Sequence, residues 1–243
     1  YLDTEKSYMS GTYFDEIYHP RTAYEFLHHL SVYEWTHPPL GKVLMGIGIA
    51  LFGMTPFGWR FVGTLLGVVM VPIVYLIARR MFKYRWLSVQ TCLLYTFDFM
   101  HFTQTRLATI DTYVTLFIML MYYYMYKYYK KSFYDTPLHK TFIPLGLSGI
   151  FFGLSVASKW TGIYAGVGLA LIFFITIYDR WREYKYALLS PDGETNSISH
   201  KFVIDSFAKN TVKTLLYCCL MFIAVPFAIY TLSYIPYLLT PSG

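Results

Sequence analysis

Charge is scarce in this chain of 243 residues. Asp, Glu, Lys and Arg together make up 14%, where a soluble domain carries about 25%. Alongside 56% hydrophobic and 21% aromatic residues and a mean hydropathy of +0.40, that shortage argues against a water-soluble globule and for a chain embedded in lipid. Cysteine is scarcer still: Cys92, Cys218 and Cys219 all lie inside apolar runs, which leaves no disulfide framework and no cysteine zinc spacing. The apolar runs do not alternate with the period a barrel strand of about ten residues needs. Helices are therefore the expected spanning elements, because each satisfies its own backbone groups in hydrocarbon. The chain starts in a polar segment at Tyr1 without an initiator Met or signal peptide, and ends at Pro241-Ser242-Gly243 straight after an apolar run. It is expected to be part of a longer protein.

The formal net charge of +6 would suit a nucleic-acid partner if the basic residues formed a stripe on a soluble face. They form none, and no nucleic acid is expected. Residues 1–38 are polar and aromatic. Residues 1–11 read as loop, and residues 15–30 as an amphipathic helix with Ile17, Tyr24, Leu27 and Leu30 along one stripe. Residues 43–54 are apolar and Gly-rich but shorter than the roughly 20 residues a span requires, so they predict an interfacial or re-entrant helix started by Pro38-Pro39. Six spans follow, at residues 61–78, 86–103, 107–126, 142–157, 161–178 and 212–232, the last continuing irregularly through Pro236. The expected organisation is a single all-α polytopic bundle over residues 1–243. Residues 1–60 form an outer loop with juxtamembrane helices, and residues 61–240 about six spans.

The basic residues set an orientation. Fourteen of the twenty Lys and Arg fall in three loops: Arg79, Arg80, Lys83 and Arg85; Lys127, Lys130, Lys131 and Lys140; and Arg180, Arg182, Lys185, Lys201, Lys209 and Lys213. Basic loops stay cytoplasmic. Residues 1–60, the turns near Arg106 and Lys159, and the C-terminal end therefore face outward. The Tyr122-Tyr123-Tyr124 run reads as an aromatic belt.

The outward side also holds the acids Asp15, Glu16, Glu25, Glu34, Asp98 and Asp111, and the bases Arg60, Arg106 and Lys159 stand at span ends. Ionisable groups near membrane depth are costly and usually mark a pathway or a site. Fixed cations neutralise charge developing on a departing lipid phosphate, and a free carboxylate accepts the proton of an attacking hydroxyl. Together they suit transfer of a group from a lipid-phosphate donor. Each also has a plainer reading. Asp15-Glu16 could be solvated, Arg106 and Asp111 could form a structural pair, and Lys159 could snorkel. His28-His29 and His37 lack the spacing of known zinc sites, so neither a metal nor another cofactor is predicted. From composition alone an enzyme and a transporter of a lipid-linked anion remain equally open. A transporter would favour inverted repeats, of which the sequence shows no convincing instance; a third reading is a non-catalytic scaffold.

Three motifs in order resemble one family. Phe14-Asp15-Glu16 followed by His37-Pro38-Pro39-Leu40-Gly41-Lys42 resembles the first outer loop of protein O-mannosyltransferases, GT-C enzymes that use polyprenyl-phosphate sugars. The segments Asp98-Phe99-Met100-His101-Phe102 and Thr105-Arg106-Leu107-Ala108-Thr109-Ile110-Asp111 resemble the second outer loop, particularly of bacterial members. Ser158-Lys159-Trp160-Thr161-Gly162 resembles a further motif. The resemblance implies a GT-C-type helical bundle and an inverting transfer, without a covalent sugar–enzyme intermediate, of a sugar, mannose, to a protein Ser/Thr or other hydroxyl. It implies that Asp15 is the catalytic base and that Glu16 holds donor sugar or acceptor. Arg60, Arg106 and Lys159 would lie near the lipid phosphate, Lys159 in direct contact, and Asp111 would be the acid of the second loop. His37 and Lys42 belong to the first-loop motif without an assigned role. Family members are longer, with spans before and after this stretch, and the eukaryotic beta-trefoil domain has no counterpart here. The wording Ile17-Tyr18-His19-Pro20 points to a bacterial enzyme, in the plasma membrane with its site facing outward. The expected partners are the polyprenyl-phosphate sugar, a protein or glycan acceptor, and membrane lipid.

Overall fold

The computed structural model describes residues 11–189 and 200–241. Residues 1–10 of the expected N-terminal loop lie outside them. Every regular element among the described residues is helical. A 3₁₀ turn at Phe14–Ile17 leads into α1 (His19–Leu27), followed by α2 (Leu40–Phe52), α3 (Pro56–Met81), α4 (Arg85–Thr96), α5 (Phe99–Gln104), α6 (Asp111–Tyr129), α7 (Leu138–Ser158), α8 (Thr161–Leu189) and α9 (His200–Cys219). A π turn at Leu220–Ala224 joins α9 to α10 (Val225–Ser233), and α11 (Ile235–Leu239) follows. Four helical runs are long and apolar enough to cross a membrane: α3, α7, α8 and the continuous stretch from α9 to α11. The protein is an integral membrane protein.

Local chemistry sets the helix ends. Thr55 caps α3, its hydroxyl accepting from the Gly58 N–H at 3.1 Å, and Pro56 occupies the first turn, where its missing N–H costs nothing. Gly53 turns the chain between α2 and α3 at φ 77°, a left-handed geometry that suits glycine. The expected span 86–103 is broken instead into α4 and α5. Asp98 interrupts it by accepting the His101 N–H at 2.8 Å and restarting the helix. The next helix begins at Asp111 rather than near 107 because the Ala108 N–H is bonded to the Glu16 carboxylate at 2.8 Å. Helix α6 is polar for a span, with its tyrosines and terminal charges, but it is wrapped by α3, α7 and α8. Its Tyr113, Met121, Met125 and Tyr128 are buried against protein rather than lipid. Helix α8 continues well past residue 178 into a charged turn. At about 1.5 Å per residue it outruns a hydrocarbon core of roughly 30 Å. The π turn precedes Pro226, which has no N–H to return to the carbonyl four residues earlier.

Small residues let the helices approach. A Cβ on Gly149 of α7 would lie 2.3 Å from the Met221 carbonyl oxygen, so the π turn seats directly on the α7 backbone. On the other face of α7, Ser148 donates to the Met121 carbonyl at 2.9 Å, the kind of interhelical bond that holds helices in lipid. One core cluster, Ala23, Met45, Ile49, Ala108, Tyr113 and Phe117, ties α1 and α2 to the bundle.

The apolar stripe expected on residues 15–30 does not form the buried face. Ile17, Leu27 and Leu30 are exposed, while His19, Thr22, Ala23, Glu25 and Phe26 are buried. The helix starts only at His19, after the 3₁₀ turn, and ends at Leu27, so a periodicity counted from Asp15 has the wrong phase. Its inward face is set by Ala23 and Phe26 packing and by ion pairs rather than by apolar residues alone.

Candidate active site

The expected site residues collect at one end of the bundle, where the loop before α1, the loop before α2, the start of α3, the turn before α6 and the α7–α8 turn meet. Fourteen basic residues were assigned to the other end, and there Tyr126 bonds the Arg80 carbonyl and Tyr134 that of Arg180.

Glu16 is 2% exposed. Arg60 reaches it in a two-pronged contact, Nε to Oε1 at 2.7 Å and Nη2 to Oε2 at 2.6 Å. The Ala108 N–H donates to Oε1 at 2.8 Å and the Tyr13 N–H to Oε2 at 2.9 Å. Burial works to raise this carboxyl's pKa, but the bonds from Arg60, Ala108 and Tyr13 outweigh it and hold the group below the usual range. The pair thus knots the first loop to α3 and to the 107–110 turn.

A second knot lies beside it. Lys42, on α2 and 0% exposed, forms an ion pair with Glu34, whose other oxygen accepts from the Thr36 N–H at 2.7 Å and from the Thr36 hydroxyl. Burial opposes ionisation of Glu34, yet Lys42 and Thr36 hold its pKa below normal. From the far end of the chain, the Tyr237 hydroxyl donates to the Glu34 carbonyl at 3.0 Å, and its ring stacks on Trp35 at 4.4 Å.

Asp15 sits differently. Its carboxylate accepts no hydrogen bond among the described residues, and His19 Nε2 stands 3.7 Å from Oδ2. Its pKa is raised. Burial is the largest cause, and Asp111 and Glu34 add to it against the pull of Lys159 and His37. Lys159 projects from an extended residue in the tight α7–α8 turn and pairs with Asp111 at 2.7 Å. One ammonium N–H is committed there, leaving the others available. His37 is half-buried, its ring 5.8 Å from that of His19 and its pKa lowered by burial and by Lys159 and Lys42.

Arg106 is placed apart. Its guanidinium lies 4.8 Å over the Phe102 ring, and with Arg60 it lines a cavity of 420 Å³ whose other walls include Phe57, Phe61, Leu65 and Val68. Asp111 also borders a cavity of 240 Å³ with Asp98, His101, Gln104 and Thr112. Two residues that meet these groups are not singled out by the sequence: His19, one helical turn after Asp15, and Glu34, counted among the outward acids but not as the partner of Lys42.

A family model described as dolichyl-phosphate-mannose-protein mannosyltransferase matches residues 36–190. A polyprenol-phosphate-mannose–protein mannosyltransferase of Mycobacterium tuberculosis is 29% identical over 174 residues, 62% of this chain and 33% of the relative. One from Mycolicibacterium smegmatis is 31% identical over 172 residues, with the same coverage. The chain thus spans about a third of the length of these relatives. The structure of the S. cerevisiae protein O-mannosyltransferase Pmt1-Pmt2 complex bound to the sugar donor superposes with a TM-score of 0.73 at 20% identity, covering 94% of this chain and 31% of that one, so the two share a fold. By the match over residues 36–190, this chain belongs to the dolichyl-phosphate-mannose-protein mannosyltransferase family.

Proposed function

We propose that the protein transfers mannose from a polyprenyl phosphate to a hydroxyl of a protein, with inversion at the anomeric carbon, on the outer side of a bacterial plasma membrane. The observation that carries this reading is Asp15: a carboxylate with no hydrogen bond among the described residues and a raised pKa, beside a Lys159 with N–H groups to spare. Asp15 takes the proton of the acceptor hydroxyl as its oxygen attacks the anomeric carbon, and the sugar–phosphate C–O bond breaks with its electron pair leaving on the polyprenyl phosphate. Lys159, held by Asp111, meets that growing charge. Arg106 attends the lipid phosphate from the neighbouring cavity. Glu16 and Arg60 act here as the clamp that sets the loop behind Asp15, and the Lys42–Glu34 pair and His37 form its floor. A transporter would need the cations but no base, so a partly exposed carboxylate with a raised pKa and no hydrogen bond among the described residues favours the enzyme.

The test is transfer of labelled mannose from a polyprenyl-phosphate donor to a Ser/Thr peptide by the full-length protein. Asp15→Asn is expected to lower turnover on the order of 10²–10⁴-fold. A folded Asp15→Asn protein that transfers at the wild-type rate would remove the base assignment.

A further inference from the structure

His19 is 2% exposed, and neither ring nitrogen has a hydrogen-bond partner among the described residues. Leaving buried polar atoms unpartnered is costly and calls for a reason. The ring lies between two carboxylates: Nε2 is 3.7 Å from Asp15 Oδ2, and Nδ1 is 3.9 Å from Glu34 Oε2. The two acids are unequal. Glu34 is already engaged by Lys42 and by both donors of Thr36, whereas Asp15 accepts no hydrogen bond among the described residues. A neutral imidazole has one N–H to give, and the unfilled acceptor is Asp15.

We propose that His19 is a positioning residue for the Asp15 carboxylate, holding Oδ2 through Nε2–H so that the other oxygen faces the acceptor hydroxyl. The inference rests on the reading of Asp15 as general base. The charged and titratable groups around the ring come from several elements: Asp15 on the 3₁₀ turn, Glu34 and His37 in the loop before α2, Lys42 on α2 and Lys159 at the end of α7. Burial, with Lys42, His37 and Lys159, outweighs Glu34 and keeps the ring neutral, its pKa lowered to about 4. Neutrality suits the role, because a neutral ring aims the carboxylate without permanently pairing its charge. A separation of 3.7 Å is long for a hydrogen bond, and such contacts between catalytic groups tighten when substrate binds. The i, i+4 spacing of Asp15 and His19 places the two on one side of the turn, so closing the gap requires only side-chain rotation.

The experiment compares His19→Asn and His19→Gln in full-length protein, with mannosyl polyprenyl phosphate and a Ser/Thr peptide as substrates. Asn reaches only to the position of Nδ1, while Gln carries an amide near that of Nε2. His19→Asn is expected to lower kcat on the order of 10–100-fold with both KM values little changed. Because a donor to Asp15 is lost, its acid limb moves up by about one pH unit. His19→Gln is expected to recover most of the rate and to return the limb toward wild type. Equal effects of the two variants, a loss confined to KM, or an unmoved acid limb overturns the proposal. If the Asn variant does not fold, the Gln variant alone decides, and loss of its turnover overturns the proposal as well. Asp15→Asn runs alongside. Wild-type transfer by Asp15→Asn overturns the base reading and this inference together; an inactive Asp15→Asn with wild-type behaviour of both His19 variants overturns this inference alone.

Discussion

Replacing Arg60 with Met removes the cation from a buried pair while keeping a side chain of similar length. Glu16 then keeps two of its four hydrogen bonds among the described residues, those from the Ala108 and Tyr13 N–H groups. Breaking a buried pair from one side costs about 3–5 kcal/mol, and the surviving backbone bonds place this case near the lower end, about 3 kcal/mol. For a protein of this size each kcal/mol moves the melting temperature by roughly 2–4 °C, so a drop of about 6–12 °C is expected by thermal unfolding in detergent at pH 7. The pH dependence supplies a second signature. In the wild type the folded pKa of Glu16 is lowered, so its contribution is fully present above the unfolded value of 4.5 and is lost as pH falls through the folded value. Without Arg60, burial is opposed only by two backbone donors and the folded pKa rises. Acidification then lets the buried group take a proton, and the deficit against wild type shrinks. Adding Glu16→Gln removes the uncompensated charge and is expected to restore most of the loss. A melting temperature within 2 °C of wild type, or a deficit that does not change with pH, would refute the clamp.

Lys159→Ala is expected to weaken binding of the polyprenyl-phosphate donor while leaving acceptor-peptide affinity unchanged; equal donor affinity in a titration would sink its phosphate role. Gly149→Ala places a methyl 2.3 Å from the Met221 carbonyl, and overpacking of this kind costs about 1–3 kcal/mol, read as a lower melting temperature with no change in KM. His19 gives the wild type a pH slope: its folded pKa, about 4, lies below the unfolded 6.5, so between those values only the unfolded chain binds the proton. Stability is therefore highest above pH 6.5 and falls by about 3 kcal/mol as pH drops to 4. His19→Gln should flatten that segment in a pH series of thermal melts, and an unaltered slope would assign it to other groups.

The all-helical membrane fold was legible because hydrocarbon leaves few alternatives, and long apolar runs such as that of α3 announce themselves. Helix ends were less legible. Whether Asp98 caps a new helix or rides inside an old one, and whether the Ala108 N–H joins a helix or a carboxylate, depends on partners that the local pattern does not contain. The same holds more strongly at the candidate site. Glu16 and Arg60 are 44 residues apart and Tyr237 lies 203 residues from Glu34, so no spacing rule brings them together, whereas Asp15 and His19 share one turn. Sequence names residue types, but what separates these acids is how many of their acceptor sites are filled. Glu16 and Glu34 are enclosed by donors and ionised below the usual range, which makes them fixed points of the fold. Asp15, one residue from Glu16 and of the same chemistry, accepts no hydrogen bond among the described residues and has a raised pKa. A carboxylate already saturated by hydrogen bonds has little capacity to take a proton from an incoming hydroxyl. The division of labour proposed for Asp15-Glu16 therefore follows from the clamp itself: by filling Glu16 completely, Arg60, Ala108 and Tyr13 leave its neighbour as the group able to react.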